Sequence, residues 1–205
     1  MNYFISDTHF GHVNVLKFDK RPFKNIDEMN STIINNWNNK VNDDDHIWIL
    51  GDFCYRSANP PEYYLSQLRG HKHLLIGNHD KTVLNSKSAI SMFDSIQKLQ
   101  HIKDGKHNII LCHFPLAEWN GMYRGSYHIY GHIHNKHDAV YRFMSMSGKA
   151  LNAGCMINNY TPVTFDELIV NNQIHSKYAG CISNRSQTRQ RNSSLKSRRN
   201  SYFFS

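Results

Sequence analysis

Residues 3–9 read Tyr-Phe-Ile-Ser-Asp-Thr-His, a short apolar run that ends in an aspartate and a histidine two positions apart. Such a run, rich in β-branched and aromatic side chains and bounded by polar residues, predicts a buried strand, here over Tyr3–Ser6. Four later runs have the same character and predict further strands at Ile47–Leu50, Leu74–Ile76, Ile109–Leu111 and Ile129–Tyr130. The first strand and the polar residues that follow it therefore define a pattern that the later strands repeat.

Helical patterns lie between these predicted strands. Residues 26–37 place isoleucine, methionine and tryptophan at helical spacing, with acidic residues in the first turn, where the helix dipole favours them. Pro60–Arg69 predicts a second helix, because proline suits a first turn and a glycine follows the apolar stripe. Farther along, Phe165–Leu168 predicts a short helix and Val170–Tyr178 one more strand. Strands that alternate with helices indicate an α/β domain.

Polar residues with metal-binding side chains follow each of the five predicted strands. They are Asp7 and His9 after the first strand, Asp52 after the second, Asn78 after the third, His113 after the fourth, and His132 and His134 after the fifth. In open α/β sheets ligands bind outside the carboxyl ends of the strands, so these side chains are expected to converge on one crevice. If the chain stays extended, residues i and i+2 point to the same side, which lets each Asp-x-His or His-x-His pair face one point.

The chemistry of this residue set predicts a class of metal. A mixture of oxygen and nitrogen ligands without thiolates suits Mn, Fe, Zn, Ni or Co. The set is too large for one ion with an open position, but it suits two ions about 3.5–4 Å apart that share a bridging carboxylate. Each short block taken alone is more often a turn or a helix cap. Their order, and their common place after strands, favour a joint metal site.

These blocks resemble the calcineurin-like metallophosphoesterase superfamily, and in particular its small bacterial and phage members. The superfamily pattern is DxH, GD, GNH[DE], H and GHxH, and all five blocks occur here in that order, between residues 5 and 134. A general similarity extends to about residue 175 and leaves out the tail. The resemblance implies an α/β fold, a four-layer αββα sandwich with two packed mixed β-sheets.

The resemblance also implies a role for each matching residue. One metal would be held by Asp7, His9, Asp52 and His134, and the other by Asp52, Asn78, His113 and His132, with Asp52 bridging the two. His79 would not be a ligand but would protonate the leaving alkoxide, with Asp80 orienting it. The expected cofactors are thus two divalent metal ions, and Mn is the metal most expected to support activity in vitro.

The function expected is hydrolysis of phosphodiester or phosphomonoester bonds in small, nucleotide-like substrates. Two cations would neutralise the phosphoester and lower the pKa of a bridging water, and the resulting metal-bridging hydroxide would attack. A metal-dependent nuclease is the alternative, although it would need a basic groove. A non-catalytic scaffold of the same fold is the third hypothesis, and the full ligand set argues against it.

One departure from the superfamily pattern lies in the second block. Many members read GDxxD or GDxx[ND], whereas here the sequence after Asp52 runs Phe53-Cys54-Tyr55-Arg56 and lacks the outer carboxylate. Arg56 is most simply a surface residue, but its guanidinium, four residues after Asp52, could form a forked contact with a phosphate. His12, three residues after His9, is a second candidate for substrate binding, although a capping or solvent-facing histidine is the more ordinary explanation.

Two further groups of residues have open interpretations. The segment with Trp119, Tyr123 and Arg124 is either a loop over the site or a packed surface loop. The four cysteines form no CxxC pair, and Cys54 and Cys112, beside motif residues, are expected to be small core residues in a reducing compartment.

Charge and composition separate a body from a tail. Six of the eight net positive charges lie in residues 183–205, a Ser-, Asn- and Arg-rich segment without acids, so residues 1–182 are nearly neutral. We expect one metallophosphoesterase domain over 1–182 and a tail over 183–205 that is disordered, binds nucleic acid, or is a non-native extension. A near-neutral body does not favour nucleic acid as partner.

Without a signal peptide or a long apolar run, a cytoplasmic protein with no membrane contact is expected; the sequence does not reveal the oligomeric state.

Overall fold

Two four-stranded sheets organise the part of the chain that the computed structural model describes, residues 1–177. The first sheet has the order β1-β2-β3-β4 and is parallel throughout, and the second has the order β5-β6-β7-β8. In the second sheet β5 and β6 are antiparallel, whereas β6, β7 and β8 are parallel. The strands are β1 (Asn2–Ile5), β2 (His46–Ile49), β3 (His71–Leu75), β4 (Ser95–Gln97), β5 (Leu99–Asp104), β6 (His107–Cys112), β7 (Tyr127–Tyr130) and β8 (Ala150–Asn152).

Helices fill the connections between the strands. They are α1 (Val15–Phe18), α2 (Ile26–Lys40), α3 (Pro61–Leu65), α4 (Lys81–Leu84), α5 (Lys87–Ile90), α6 (Ala139–Ser145) and α7 (165–177), with 3-10 turns at Met122–Arg124 and Cys155–Asn158. In α2 the Asn25 side chain accepts a hydrogen bond from the backbone N–H of Glu28, and Met29, Ile33 and Trp37 are buried along one face. The N-cap satisfies a backbone N–H at the start of this 15-residue helix, and the apolar stripe packs against the core.

The two faces of the first sheet build two separate cores. Ile47 and Ile49 of β2 point to the helical side, where they pack with α2 residues such as Ile33. Leu50, just after β2, and Leu75 of β3 point to the other side and meet residues of the second sheet, including Ile109, Leu111 and Ile129. Burial on both faces explains why the strands are continuous apolar runs rather than alternating ones.

The predicted two-sheet α/β architecture is confirmed, and so are all five predicted strands, each within a few residues of its bounds. Of the two sheets predicted to be mixed, the second is mixed and the first is parallel. The predicted helix at Pro60–Arg69 is present but ends as an α-helix at Leu65. The predicted strand at Val170–Tyr178 is wrong, because residues 165–177 are helical.

The chain divides into two compact units, Met1–Asn172 and Gln173–Ser205. Of the second unit the structure describes only the helical residues 173–177, so the predicted tail at 183–205 lies outside the described residues. Among residues 1–177, no helix combines the length and the apolar character that a membrane crossing requires.

Candidate metal centre

The carboxyl ends of β1, β2, β3, β6 and β7 bring the seven predicted ligands together. Four of them, Asp7, His9, Asp52 and His134, are buried and offer ligand atoms that all lie within 4.8 Å of one another. His9 Nε2 is 3.3 Å from His134 Nε2 and 3.6 Å from Asp52 Oδ2, while His134 Nε2 is 3.6 Å from Asp7 Oδ1. This cluster could hold a metal ion.

The other three predicted ligands gather on the opposite side of Asp52. Asn78 Oδ1 lies 3.0 Å from His113 Nε2 and 2.9 Å from His132 Nδ1. His113 Nε2 is 3.7 Å from Asp52 Oδ2, the same oxygen that faces His9 at 3.6 Å. One carboxylate oxygen thus lies between two groups of side chains.

Strained backbone marks five of the seven positions. Asp7, His9, Asp52, His132 and His134 have φ angles of 57°, 50°, 54°, 70° and 56°. The left-handed region costs a residue with a side chain about 1–2 kcal/mol, and it tends to persist where function demands it. The Asp7/His9 pair therefore does reach one place, but through left-handed turns and not through the extended backbone that the sequence suggested. The His132/His134 pair does not, because His134 lies in the first cluster and His132 lies beside Asn78.

The electrostatics of the cluster suit a cation. Burial, together with the neighbouring carboxylates of Asp7 and Asp80, raises the pKa of Asp52 to about 7. Burial also lowers the pKa of His9, whose Nδ1 atom is buried without a hydrogen-bond partner. Close-packed carboxylates and neutral imidazoles are the donors that first-row divalent ions prefer, and a bound cation would offset the crowded negative charge.

Asp19 and Arg21 form hydrogen bonds to residues of this cluster and orient them. The sequence analysis missed both. His134 Nδ1 lies 2.8 and 2.7 Å from the two Asp19 oxygens, which turns Nε2 towards the cluster. The Arg21 guanidinium binds Asp19 Oδ2 and donates to the backbone carbonyls of Asp7 and Thr8 at 2.8 and 2.9 Å. The two residues follow α1 in an irregular stretch, where neither periodicity nor a motif could have revealed them.

His113 is oriented in the same manner by the backbone. Its Nδ1 atom lies 2.7 Å from the carbonyl oxygen of Leu50, which leaves Nε2 free to face Asp52. Asn152, at the end of β8, donates to the carbonyl oxygen of His134 at 2.6 Å. Such outer contacts fix the tautomer and the direction of a ligand ring.

Asp80 connects two of the turns that carry predicted metal ligands. It is fully buried, and its carboxylate accepts hydrogen bonds from the backbone N–H groups of Gly77, Asp52 and Phe53 at 2.7, 3.0 and 2.9 Å. The expectation was that Asp80 orients the His79 ring. Both of its oxygens are instead engaged by backbone, so any such influence passes through the position of the turn.

His79 lies at the open side of the centre. Its backbone N–H donates to Asp52 Oδ1 at 2.8 Å, and its ring packs against Tyr55 with 4.1 Å between ring centroids. Burial lowers the pKa of His79, and the Asp80 charge opposes that shift. Tyr55 occupies the stretch where the superfamily's outer carboxylate is missing, so an aromatic ring contacts His79 there.

The weaker candidates have different surroundings. His12 is buried beside the rings of His9 and Tyr55, at 5.6 and 5.0 Å, and is not the solvent-facing residue of the ordinary explanation. Arg56 is exposed, and its guanidinium lies 5.3 Å from the centre of the Tyr55 ring. Both therefore flank the Tyr55 side of the centre.

The segment around Trp119 is a packed surface loop. Trp119 is buried against His128 on the outer face of the second sheet, whereas Tyr123 and Arg124 are exposed. Cys54 and Cys112 are buried free thiols, as expected of core residues. Burial raises the pKa of both thiols, which keeps them protonated and poor ligands.

Comparison with other proteins gives the chain its relatives. The uncharacterized protein MJ1445 of Methanocaldococcus jannaschii is 34% identical over 169 residues, covering 82% of this chain and 88% of that protein. The crystal structure of the protein of unknown function AQ665 from Aquifex aeolicus has a TM-score of 0.64 and 29% identity, covering 82% of this chain and 96% of that one. Yfce, a phosphoesterase from E. coli, has a TM-score of 0.39 and 15% identity, covering 75% and 77%. No family model matches the chain.

The identity to MJ1445 extends over most of both chains and shows a shared family. The five motif blocks occur in order, and the two-sheet fold gathers them at the carboxyl ends of its strands. The chain therefore belongs to the family of MJ1445.

Proposed function

We propose that the protein is a metal-dependent phosphoesterase with two divalent ions. Asp7, His9, Asp52 and His134 would hold one ion, and Asp52, Asn78, His113 and His132 the other. The observation that carries this proposal is the place of Asp52 Oδ2, which lies 3.6 Å from His9 Nε2 on one side and 3.7 Å from His113 Nε2 on the other. A carboxylate between two sets of ligands is what a bridged pair of ions requires.

When bound, the ions would supply the positive charge that neutralises the phosphoester and makes a water acidic enough to attack it at neutral pH. The chain's own contribution is to hold the surrounding groups in fixed directions. Arg21 and Asp80 tie the turns that carry Asp7 and Asp52 to neighbouring backbone, so that the site needs little reorganisation during the reaction.

His79 is the residue best placed to protonate the leaving group. It lies on the open side, next to Asn78, and the hydrogen bond from its backbone to Asp52 fixes its distance from the centre. Burial lowers the pKa of its ring in the free protein. A bound phosphoester brings negative charge close to that ring, which favours the protonated form that a general acid needs.

A small substrate suits the surface beside His79. A cavity of about 870 Å³ opens there, lined by Tyr55, Ser57, Asn59, Asn78, His79, Lys81 and Asn85 among others. Its hydroxyl, amide and aromatic groups match a polar, nucleotide-like ester, and His12 and Arg56 on the Tyr55 side are the proposed contacts to the substrate. A nearly neutral body supports a small phosphoester more than a long nucleic acid. We also propose that the protein works in the cytoplasm.

Hydrolysis of p-nitrophenyl phosphate and bis-p-nitrophenyl phosphate, with added Mn²⁺ and with a chelator, tests the proposal. We expect activity that depends on metal, and a loss of at least about 10²-fold in Asp52→Asn, because a lost preorganised charge has that effect. Asp43→Asn, at an exposed position outside the centre, is the matched control and should retain activity. Wild-type turnover with unchanged metal content in Asp52→Asn would refute the bridging role.

The choice of ester separates the remaining hypotheses. Activity on the diester but not the monoester would make the protein a diesterase, and cleavage of DNA or RNA at a higher rate than either would make it a nuclease. A protein that binds two ions and hydrolyses none of these substrates would favour the scaffold hypothesis. For His79→Gln we expect a larger loss on esters with poor leaving groups than on nitrophenyl esters, which depart without a proton.

A further inference from the structure

A second cluster of histidines lies at the other end of the first sheet. β2 begins at His46 and β3 at His71, and the register pairs these two residues, with Trp48 opposite His73. Because the strands are parallel, their amino ends lie at the edge opposite to the metal centre. β2 alone advances by roughly 10 Å from His46 to Ile49, and Asp52 lies beyond its far end. The cluster is therefore independent of the centre described above.

The rings of this cluster lie nearly parallel to one another. Trp48 stacks on His73 with 4.2 Å between centroids and 19° between planes, and the His46 ring lies edge to edge with His73 at 5.2 Å and 22°. His71 lies next to His46, with 5.1 Å between centroids and 24° between planes. Within the cluster, His46 Nδ1 and His73 Nε2 face each other at 2.9 Å. Two imidazole nitrogens thus share one hydrogen bond at this end of the sheet.

The outer contacts determine which nitrogen atoms have free lone pairs. His73 Nδ1 lies 2.8 Å from Ser95 Oγ, and His71 Nδ1 lies 2.8 Å from Asp94 Oδ2. If His73 donates its Nδ1 proton to Ser95, its Nε2 carries the lone pair that faces His46. The proton between the two rings then belongs to His46 Nδ1. Ring nitrogens held by an oxygen on the far side are typical of metal-binding histidines.

We propose that His46 and His73 form a second transition-metal site, through His46 Nδ1 and His73 Nε2. The proton on His46 Nδ1 would pass through solvent to Nε2 of the same ring, so that both ligands stay neutral and no net proton is released. Metal–nitrogen bonds of about 2.0–2.1 Å place two ligands in a tetrahedral site roughly 3.3 Å apart. The two nitrogens need to move apart only slightly from their present 2.9 Å, and each ring must turn so that its lone pair points at the ion and not at the other nitrogen.

The chemistry of the pair selects the ion. Two imidazoles with no carboxylate between them, and with solvent free to complete the coordination, favour Cu²⁺, Ni²⁺ and Zn²⁺ over Mn²⁺ or Mg²⁺. Burial and the neighbouring His46 lower the pKa of His73, while Asp94 opposes this shift, so the ring is neutral and available at pH 7. Ni²⁺ and Zn²⁺ suit both sites, so the second site is best distinguished from the centre by Cu²⁺ together with a reporter next to the histidine pair.

Trp48 gives the site a built-in reporter. Its indole stacks directly on the His73 ring, so Cu²⁺ bound there should quench Trp48 fluorescence. The test is a titration of the full chain with CuCl₂ at pH 7, followed by tryptophan fluorescence, and with ZnCl₂ by calorimetry. We expect saturable quenching of Trp48, with the Cu²⁺ concentration at its midpoint at least tenfold higher in His46→Gln and in His73→Gln. His101→Gln, an exposed histidine of β5, is the matched control and should titrate like wild type.

Two further variants separate this site from the metal centre. In Trp48→Phe the quenching should disappear while the heat of Zn²⁺ binding remains. In Asp52→Asn, where the proposed bridge is lost, the quenching should be unchanged. Equal Cu²⁺ affinity and stoichiometry in wild type, His46→Gln and His73→Gln, all with wild-type circular dichroism melts, would overturn the proposal. So would quenching that is lost in Asp52→Asn but kept in His73→Gln.

Discussion

Replacement of Asp19 by asparagine tests whether the residues behind the metal centre set its affinity. Both Asp19 oxygens lie within 2.8 Å of His134 Nδ1, and one of them also binds Arg21. Burial opposes ionisation of Asp19, but the contacts with His134 and Arg21 prevail and lower its pKa, so the carboxylate is charged at neutral pH. Asparagine keeps the shape and one accepting oxygen, but it removes that charge.

The size of the effect follows from the kind of bond that is lost. A hydrogen bond to a charged group contributes about 1.5–3 kcal/mol and a neutral one about 0.5–1.5 kcal/mol. The difference at His134 is therefore roughly 1–2 kcal/mol, and the loss of a partner behind a ligand ring typically lowers metal affinity by about 10–100-fold. Because Arg21 is buried and loses its counter-charge, we also expect the free energy of unfolding to fall by about 3 kcal/mol.

The assay is competition for Mn²⁺ against a fluorescent chelator, with urea denaturation in parallel. Asp94→Asn is the matched control, because Asp94 also binds a histidine, His71, at 2.8 Å, but both partners are about half exposed at 49%. An exposed pair of this kind contributes between zero and about 1 kcal/mol, and it lies far from the centre. An Asp19→Asn protein with wild-type Mn²⁺ affinity would refute the reasoning, even if its stability had fallen.

Three more outcomes follow from the same structure. Asp80→Asn should lower the free energy of unfolding by about 2–3 kcal/mol in urea, because an amide cannot accept from all the buried N–H groups that the carboxylate accepts from. Gly131→Ala should lower the free energy of unfolding by about 1–3 kcal/mol and reduce bound metal, since its Cβ would lie 2.7 Å from Ser6 Cβ. The control is Gly105→Ala, whose Cβ meets nothing within 4 Å. It should lower the free energy of unfolding by only about 1 kcal/mol, the cost of left-handed backbone for alanine. In metal-free protein the Asp52 pKa of about 7, against an ordinary 3.8, means that the folded state keeps a proton which the unfolded state releases between those pH values. Stability should then fall as pH rises from 4 to 7, by up to about 4 kcal/mol in calorimetric melts, and Mn²⁺ should reverse the loss; a flat profile contradicts the assignment.

The sequence predicted β1, β2, β3, β6 and β7, because their apolar runs are continuous; the first three lie between the two cores. It missed β4, β5 and β8, since β5 is a polar strand with exposed Leu99 and the other two are three residues long. The prediction of a strand at Val170–Tyr178 was wrong because the spacing of its apolar residues was misjudged. Its apolar residues Val170 and Ile174 are four positions apart, a spacing that belongs to a helix.

The candidate centre was predictable as a set of neighbouring residues but not as a geometry. Residue type and place after a strand were enough to select Asp7, Asp52 and the others, because ligand chemistry is written in side-chain identity. The left-handed backbone at five of these positions leaves no trace in composition, and neither do contacts such as that of Asp19 with His134, whose partners lie 115 residues apart. Long-range polar contacts depend on the packed fold and cannot be read from local pattern.

The strained turns raise the question of what keeps them in place, and the polar contacts answer it. Asp80 joins the turn of Asp52 to that of Gly77, and Arg21 holds the carbonyl of Asp7. The Asp7 carboxylate in turn accepts from the backbone N–H of His132 at 3.1 Å. Each contact links one ligand-bearing turn to another part of the protein, so the turns are determined before any ion arrives. Binding an ion then requires little ordering of backbone, and the affinity lost when one such contact is removed should be confined to the ligand that it orients.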